Sequence, residues 1–181
     1  MDADFTQNHF ELFGLPVGFD VDRDTLSLRY RDLQRAAHPD RFANASDHER
    51  RLSVQRAAQI NEAFQTLKQP LARARYLLEL NGRPLDESDT AMDSSFLMEQ
   101  MELRERIEGI RSAGDPFQAL SDVRGELEER ERFLVTELGT FFAEGGDHAL
   151  DQARQAVRKL QFFQKLLDEV SDLEEDLVHE G

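Results

Sequence analysis

Apolar residues recur every three or four positions through most of this 181-residue chain, which is the spacing of one face of an α-helix. In the segment DTLSLRYRDLQRAAH, for example, one such stripe consists of Leu26, Tyr30, Leu33 and Ala37. No segment rich in Val, Ile or Thr alternates apolar with polar residues as a half-buried strand would. The pattern therefore predicts an all-α protein.

Residues 1–80 predict a helical hairpin with a short helix on each side. The first hairpin helix begins after Asp22 or Asp24, either of which can cap it, and ends before Pro39. The second begins after Ser46, which can form a capping box with Glu49. The segments HFELFGL and PLARARYLLEL predict the two short helices, the latter with proline in its first turn.

Residues 94–181 predict a three-helix bundle, with helices over about 94–111, 116–142 and 147–178. The connections between them are short, so neighbouring helices are expected to be antiparallel. Residues 81–93 lack a helical stripe and contain Gly, Pro, Asp and Ser, which is typical of a linker or elbow. We therefore expect two domains, 1–80 and 94–181.

Charge and cysteine content exclude several classes of function. The chain has 22 Lys and Arg against 37 Asp and Glu, and residues 81–181 hold 25 of those 37 acidic residues but only 11 of the 22 basic ones. Nucleic-acid binding needs a basic surface and is not expected. The absence of Cys excludes disulfides, a thiol nucleophile and thiolate metal ligands. No apolar run has membrane-spanning length and no signal-peptide core precedes the first helix, so a cytoplasmic location is expected.

The connection between the two hairpin helices carries the sequence His-Pro-Asp, with basic residues on both sides. The residues concerned are Arg29, Arg31, Arg35, His38, Pro39, Asp40 and Arg41. Proline stiffens the turn, and a carboxylate there can accept hydrogen bonds from a partner's guanidinium. Arg31 and Arg35 lie one helical turn apart and share a face, although that face could equally be an ordinary solvated one.

This hairpin, with its FELFGLP opening and its INEAFQTL segment, resembles the J domain of DnaJ-type co-chaperones. The resemblance covers about residues 5–80. It implies that the basic face and the turn contact a DnaK-type chaperone and stimulate its hydrolysis of ATP. The family usually has Lys after His-Pro-Asp, whereas this chain has Arg41, which keeps the charge.

A metal-dependent hydrolase is the alternative from another functional class. His38, Asp40 and His48 would supply its ligands, but their spacing matches no familiar zinc pattern. The sequence also contains no nucleophile elbow and no phosphate-binding loop, so the chain is not expected to be an ATPase itself.

The segment SSFLMEQMELRERIEGI has apolar residues on two sides of its predicted helix. One side is a core stripe of Phe96, Leu103, Ile107 and Ile110. The second set lies about 100° to 200° away on the helical wheel, beside acidic residues, and consists of Leu97, Met98 and Met101. Either these three side chains form an exposed binding patch inside an acidic rim, or Leu97 and Met101 pack against the first domain. Phe162 also lies off its helix's main stripe and is expected either at an interface or in flank packing.

The segments FLMEQMELRE and VRKLQFF resemble the C-terminal bundle of the HscB family of iron–sulfur co-chaperones, and the similarity extends over nearly the whole chain. It implies a non-enzymatic protein without a cofactor, which delivers the scaffold protein IscU to the chaperone HscA and stimulates the HscA ATPase. The implied scaffold contacts are Leu97, Met98, Met101, Glu102, Glu105 and Phe162. A further acidic contact of the family falls at Gly109, where Glu108 is a possible substitute. The alternative is a general J-domain adaptor that delivers another client.

Overall fold

The computed structural model describes residues 7–42, 45–86 and 92–180. These residues form seven α-helices and two turns of 3-10 helix and contain no β-strand, which confirms the predicted all-α fold. The chain divides into two compact units, Met1–Gly82 and Arg83–Gly181. Part of the predicted linker, residues 87–91, lies outside the described residues, as do residues 1–6, 43–44 and 181.

The first unit contains the predicted hairpin and its two short helices. The four helices are α1 (His9–Phe13), α2 (Arg23–Ala37), α3 (Asp47–Lys68) and α4 (Pro70–Leu80), with a 3-10 turn at Pro39–Phe42 between α2 and α3. The side chain of Asp22 caps α2 by accepting from the backbone N–H of Asp24. Ser46 and Glu49 form the predicted capping box at α3. Local sequence therefore sets where the hairpin helices begin.

The core of the first unit joins all four helices. Its largest fully buried side chains are Phe10, Phe13, Leu26, Ile60, Leu67 and Leu78. Between α2 and α3 the rings of Tyr30 and Phe64 stack with their centroids 3.9 Å apart. One charged residue is buried with them: Arg73 is only 6% exposed. Its guanidinium donates to the carbonyl of Leu67 over 2.6 Å and so satisfies an acceptor near the end of α3.

The second unit is a bundle of three helices, as predicted. These are α5 (Ser94–Gly109), α6 (Pro116–Glu144) and α7 (Gly146–Glu180), with a 3-10 turn at Ile110–Ser112 after α5. The turn between α6 and α7 depends on Gly145, which has a φ of 67° and a ψ of −174°. Essentially only glycine adopts this backbone conformation, because any other residue would be strained there. Gly146, which follows, also has a positive φ of 79°, so two consecutive glycines reverse the chain between two long helices.

Burial along α5 follows the predicted core stripe, since Phe96, Leu103 and Ile110 are buried and Ile107 is half-buried. Burial along α7 was predicted less well. Phe163 and Leu166 are buried and Leu167 is half-buried, whereas the sequence predicts a stripe that contains Leu167 and omits the other two, namely Ala153, Val157, Leu160, Leu167 and Val170. The reason is that α7 packs against two helices, so its buried face is wider than one stripe. No helix in the described ranges is both long and apolar enough to cross a membrane.

Candidate functional site

The His-Pro-Asp turn is held by backbone and side-chain hydrogen bonds at the end of α2. The N–H of Arg41 donates to the carbonyl of His38 over 3.0 Å, which closes the 3-10 turn. The N–H of Asp40 donates to Nδ1 of His38 over 3.3 Å. The side chains of His38 and Asp40 are 58% and 91% exposed. The turn therefore has a fixed backbone and presents an imidazole and a carboxylate to solvent.

Two arginines of α2 remain on the exposed side of the helix that leads to this turn. Arg31 is exposed and forms no ion pair within the part of the chain that the structure describes. Arg35 is also exposed, and its Nη1 lies 3.6 Å from Oδ1 of Asp32. An ion pair between two exposed side chains at i and i+3 contributes little to stability, so Arg35 can exchange it for a partner's carboxylate.

Arg29 makes a different contact from the other two arginines. Its Nη1 donates to the carbonyl of Phe13 over 3.0 Å and so caps the end of α1. The same nitrogen would lie 2.6 Å from a Cβ placed at Gly14, whose φ is 60°. Glycine at this position therefore provides both the left-handed turn after α1 and the space for the guanidinium. A role for Arg29 in binding a chaperone stays a prediction.

The metal-binding alternative has no geometric support in this region. Among the residues described, no group of three or more His, Cys, Asp and Glu side chains is arranged to hold a metal ion. His38, Asp40 and His48 belong to this described set.

The second candidate surface is the outer side of α5. Leu97, Met98 and Met101 are 47%, 63% and 72% exposed, although each is a large apolar side chain. Within the second unit these three side chains therefore lie outside the core. Contiguous apolar surface of this kind is typical of an interaction site.

Phe162 flanks this apolar surface from α7. It is half-buried, and its ring meets that of Phe96 edge to face with centroids 5.5 Å apart. The guanidinium of Arg104 lies over the Phe162 ring, 5.7 Å from its centroid. One side of the Phe162 ring therefore packs against the bundle, and the rest stays accessible.

The first turn of α5 is fixed by Asp93, its N-cap residue. The carboxylate accepts hydrogen bonds from the Ser95 hydroxyl and from the N–H of Phe96, the latter over 2.7 Å. Nζ of Lys159 on α7 lies 3.1 Å from it. These hydrogen bonds, that from Ser95 above all, lower the pKa of Asp93 to about 2. The cap thereby places Leu97 and Met98 on an ordered helical turn.

Acidic residues accompany the apolar side chains on α5. Glu102, Glu105 and Glu108 are all exposed. Gly109, the position of the missing acidic contact, is the last residue of the helix and is exposed as well. Glu108, one residue earlier, is therefore accessible to a partner, although its side chain points about 100° around the helix from position 109.

Two ion pairs that tie α5 to α6 were not predicted from the sequence. Nη2 of Arg130 lies 2.8 Å from Oε1 of Glu99, without the alignment of a hydrogen bond. Nη1 of Arg106 donates to Oε2 of Glu126 over 2.6 Å. On the helical wheel Glu99 and Arg106 lie beside the core stripe of α5. Both ion pairs could therefore have been suggested by looking for opposite charges at the borders of the core stripes of α5 and α6.

Comparisons with known proteins identify several relatives of this chain. Residues 92–171 match the family described as the HSCB C-terminal oligomerisation domain. A co-chaperone protein HscB homologue of Shewanella halifaxensis is 49% identical over 173 residues, which cover 94% of this chain and 98% of the homologue. A homologue with the same description from Aliivibrio fischeri is 46% identical over 172 residues, 94% of this chain and 99% of that protein.

Two solved structures share the fold. The chaperone HscB from Vibrio cholerae superposes with a TM-score of 0.85 at 43% identity, over 94% of this chain and 99% of that one. The human co-chaperone protein HscB superposes with a TM-score of 0.88 at 27% identity, over 96% of this chain and 85% of the human one.

Proposed function

Because this chain belongs to the HscB co-chaperone family, we propose that it serves iron–sulfur cluster assembly by delivering the scaffold protein IscU to the chaperone HscA and stimulating the HscA ATPase. The first unit would engage HscA and the second would bind IscU. ATP is hydrolysed by HscA, and this chain contributes binding energy and no covalent chemistry. We place the protein in the cytoplasm.

The contact with HscA in this proposal is made by the His-Pro-Asp turn and the exposed arginines before it. Asp40 offers an exposed carboxylate for a guanidinium or amide of HscA. Arg31 and Arg35 offer positive charge for an acidic surface, which would accelerate and orient the encounter. The closed backbone of the turn supports this role, because a partner that binds it pays little conformational entropy.

The contact with IscU in this proposal is centred on Leu97, Met98 and Met101. Their exposure next to one another on α5 is the single observation that carries the assignment, since contiguous exposed apolar side chains are typical of an interaction site. Methionine side chains adapt to the shape of a partner and are enriched at protein interfaces, where a few central side chains carry most of the binding energy. Glu102, Glu105 and half-buried Phe162 surround this centre.

A calorimetric titration of IscU into the full chain tests the proposal against the alternative of a general J-domain adaptor. We expect saturable binding of IscU, and no binding of an extended apolar peptide that a DnaK-type chaperone accepts as a client. Stimulation of HscA without any measurable binding of IscU would favour the general adaptor and contradict the assignment of the bundle.

A further inference from the structure

A groove runs between α5 and α6, beside the surface assigned to IscU. Its volume is about 350 Å³, and Leu103, which is buried, lies at its floor. Met98 and Glu102, two of the proposed scaffold contacts, line the same groove. The groove is therefore continuous with the surface assigned to IscU.

The charged walls of this groove are neutralised within the bundle. Each of its two ion pairs joins α5 to α6: Arg130 of α6 pairs with Glu99 of α5, and Arg106 of α5 pairs with Glu126 of α6. Two positive and two negative charges thus balance, so a neutral side chain can enter without leaving a charge desolvated and unpaired. Glu102 differs from these residues, because within the described residues it forms no ion pair.

The two flanks of α5 carry different halves of the proposed scaffold contacts. Leu97 lies on the side of Arg104, which reaches across to Phe162 of α7. Met98 is turned by about 100° from Leu97 and faces the groove next to α6. A partner that contacts both Phe162 and Met98 must therefore extend over the exposed side of α5 and reach the groove between α5 and α6.

We propose that IscU straddles α5 and also occupies the α5–α6 groove, with an apolar side chain placed between Met98 and the Arg106–Glu126 pair and a basic side chain beside Glu102. This inference rests on the proposed function and adds α6 to the scaffold-binding surface. Glu126 and Arg130 become specificity-determining residues, because they set the width and the charge of the groove.

Filling the groove tests this inference. Glu126→Trp places a bulky side chain in it from α6, and Arg130→Trp does the same one helical turn further along. The matched control is Glu174→Trp, since Glu174 forms a comparable ion pair with Arg124, at 2.5 Å, that is not part of the groove. Isothermal titration with IscU should show binding at least tenfold weaker for either groove variant and within twofold of wild type for the control. Thermal denaturation followed by circular dichroism identifies any variant that is misfolded, and the second groove variant then supplies the result.

Leu97→Ala separates failure of the inference from failure of the proposed function. If Leu97→Ala weakens IscU binding tenfold while both tryptophan variants bind normally, the groove is empty in the complex and the inference is wrong. If wild type does not bind IscU, or Leu97→Ala binds as wild type does, the proposed function of the α5 surface fails first.

Discussion

Arg29 and Arg31 stand two positions apart on α2, and the helix turns them to opposite sides. The guanidinium of Arg29 donates to the carbonyl of Phe13, whereas Arg31 extends into solvent. The sequence shows three arginines before the His-Pro-Asp turn and gives no sign of this difference, because the partner of Arg29 is a backbone carbonyl 16 positions away. Only the packing of α1 against α2 reveals it.

Replacing Arg29 should therefore affect folding, and replacing Arg31 should not. We expect Arg29→Ala to lower the free energy of unfolding by about 1 kcal/mol, the usual net contribution of one hydrogen bond. Arg31→Ala, the matched control, should leave stability unchanged within about 0.5 kcal/mol, as is typical of surface substitutions. Urea denaturation measures both values. Equal stability of the two variants would contradict the capping role of Arg29.

Asp93 should make the stability of the bundle depend on pH in the acidic range. Hydrogen bonds lower its pKa in the folded state from the ordinary 3.8 to about 2, so its ionised form favours folding. This contribution is complete above the unfolded-state value and is lost as the pH falls through the folded-state value.

The variant Asp93→Asn keeps a capping side chain but cannot ionise, which makes it the matched comparison. Wild type should be the more stable protein at pH 5, and the difference in melting temperature should shrink between pH 4 and pH 2. Thermal denaturation across this range provides the measurement. A difference that stays constant with pH would show that the charge of Asp93 does not stabilise the bundle.

At the scale of elements, helix ends and exposed faces follow from local sequence, and contacts between helices do not. The capping residues Asp22 and Ser46 and the breaker Gly145 mark helix boundaries through short-range hydrogen bonds and backbone sterics. The two-sided pattern of α5 likewise follows from periodicity. The ion pair of Arg106 with Glu126 depends on how α5 is rotated against α6, which no single segment specifies. The width of the buried face of α7 depends on both neighbours for the same reason.

The exposed face of α5 provides the prediction that belongs to this scale. Replacing Leu97, Met98 and Met101 together with Ala should lower IscU affinity at least tenfold, equivalent to about 1.4 kcal/mol. Stability should change little, because the three side chains are exposed and Ala favours helix.

Leu103→Ala is the control on the same helix. Leu103 is buried, so its truncation should cost about 2 kcal/mol or more. Differential scanning calorimetry beside the IscU titration distinguishes the two cases. A drop in melting temperature for the triple variant as large as that for Leu103→Ala would place the three residues in the core.

At the scale of the whole molecule, the two units differ sharply in charge. Residues 1–80 hold 11 basic and 12 acidic residues, whereas the rest of the chain holds 11 and 25. The basic face of α2 therefore lies in the nearly neutral part, where an acidic partner meets little repulsion. The acidic part instead suits a partner with a basic surface. This asymmetry supports the assignment of different partners to the two units.

Steady-state ATP hydrolysis by HscA tests most directly whether this chain couples the scaffold IscU to the chaperone HscA. HscA is assayed alone, with this chain, with IscU and with both. We expect the chain alone to stimulate hydrolysis modestly and the two proteins together to stimulate it by more than the sum of their separate effects. His38→Gln and Asp40→Asn should abolish the contribution of the chain while leaving IscU binding intact. Stimulation by both proteins that is merely additive, or full stimulation by either turn variant, would contradict the claim.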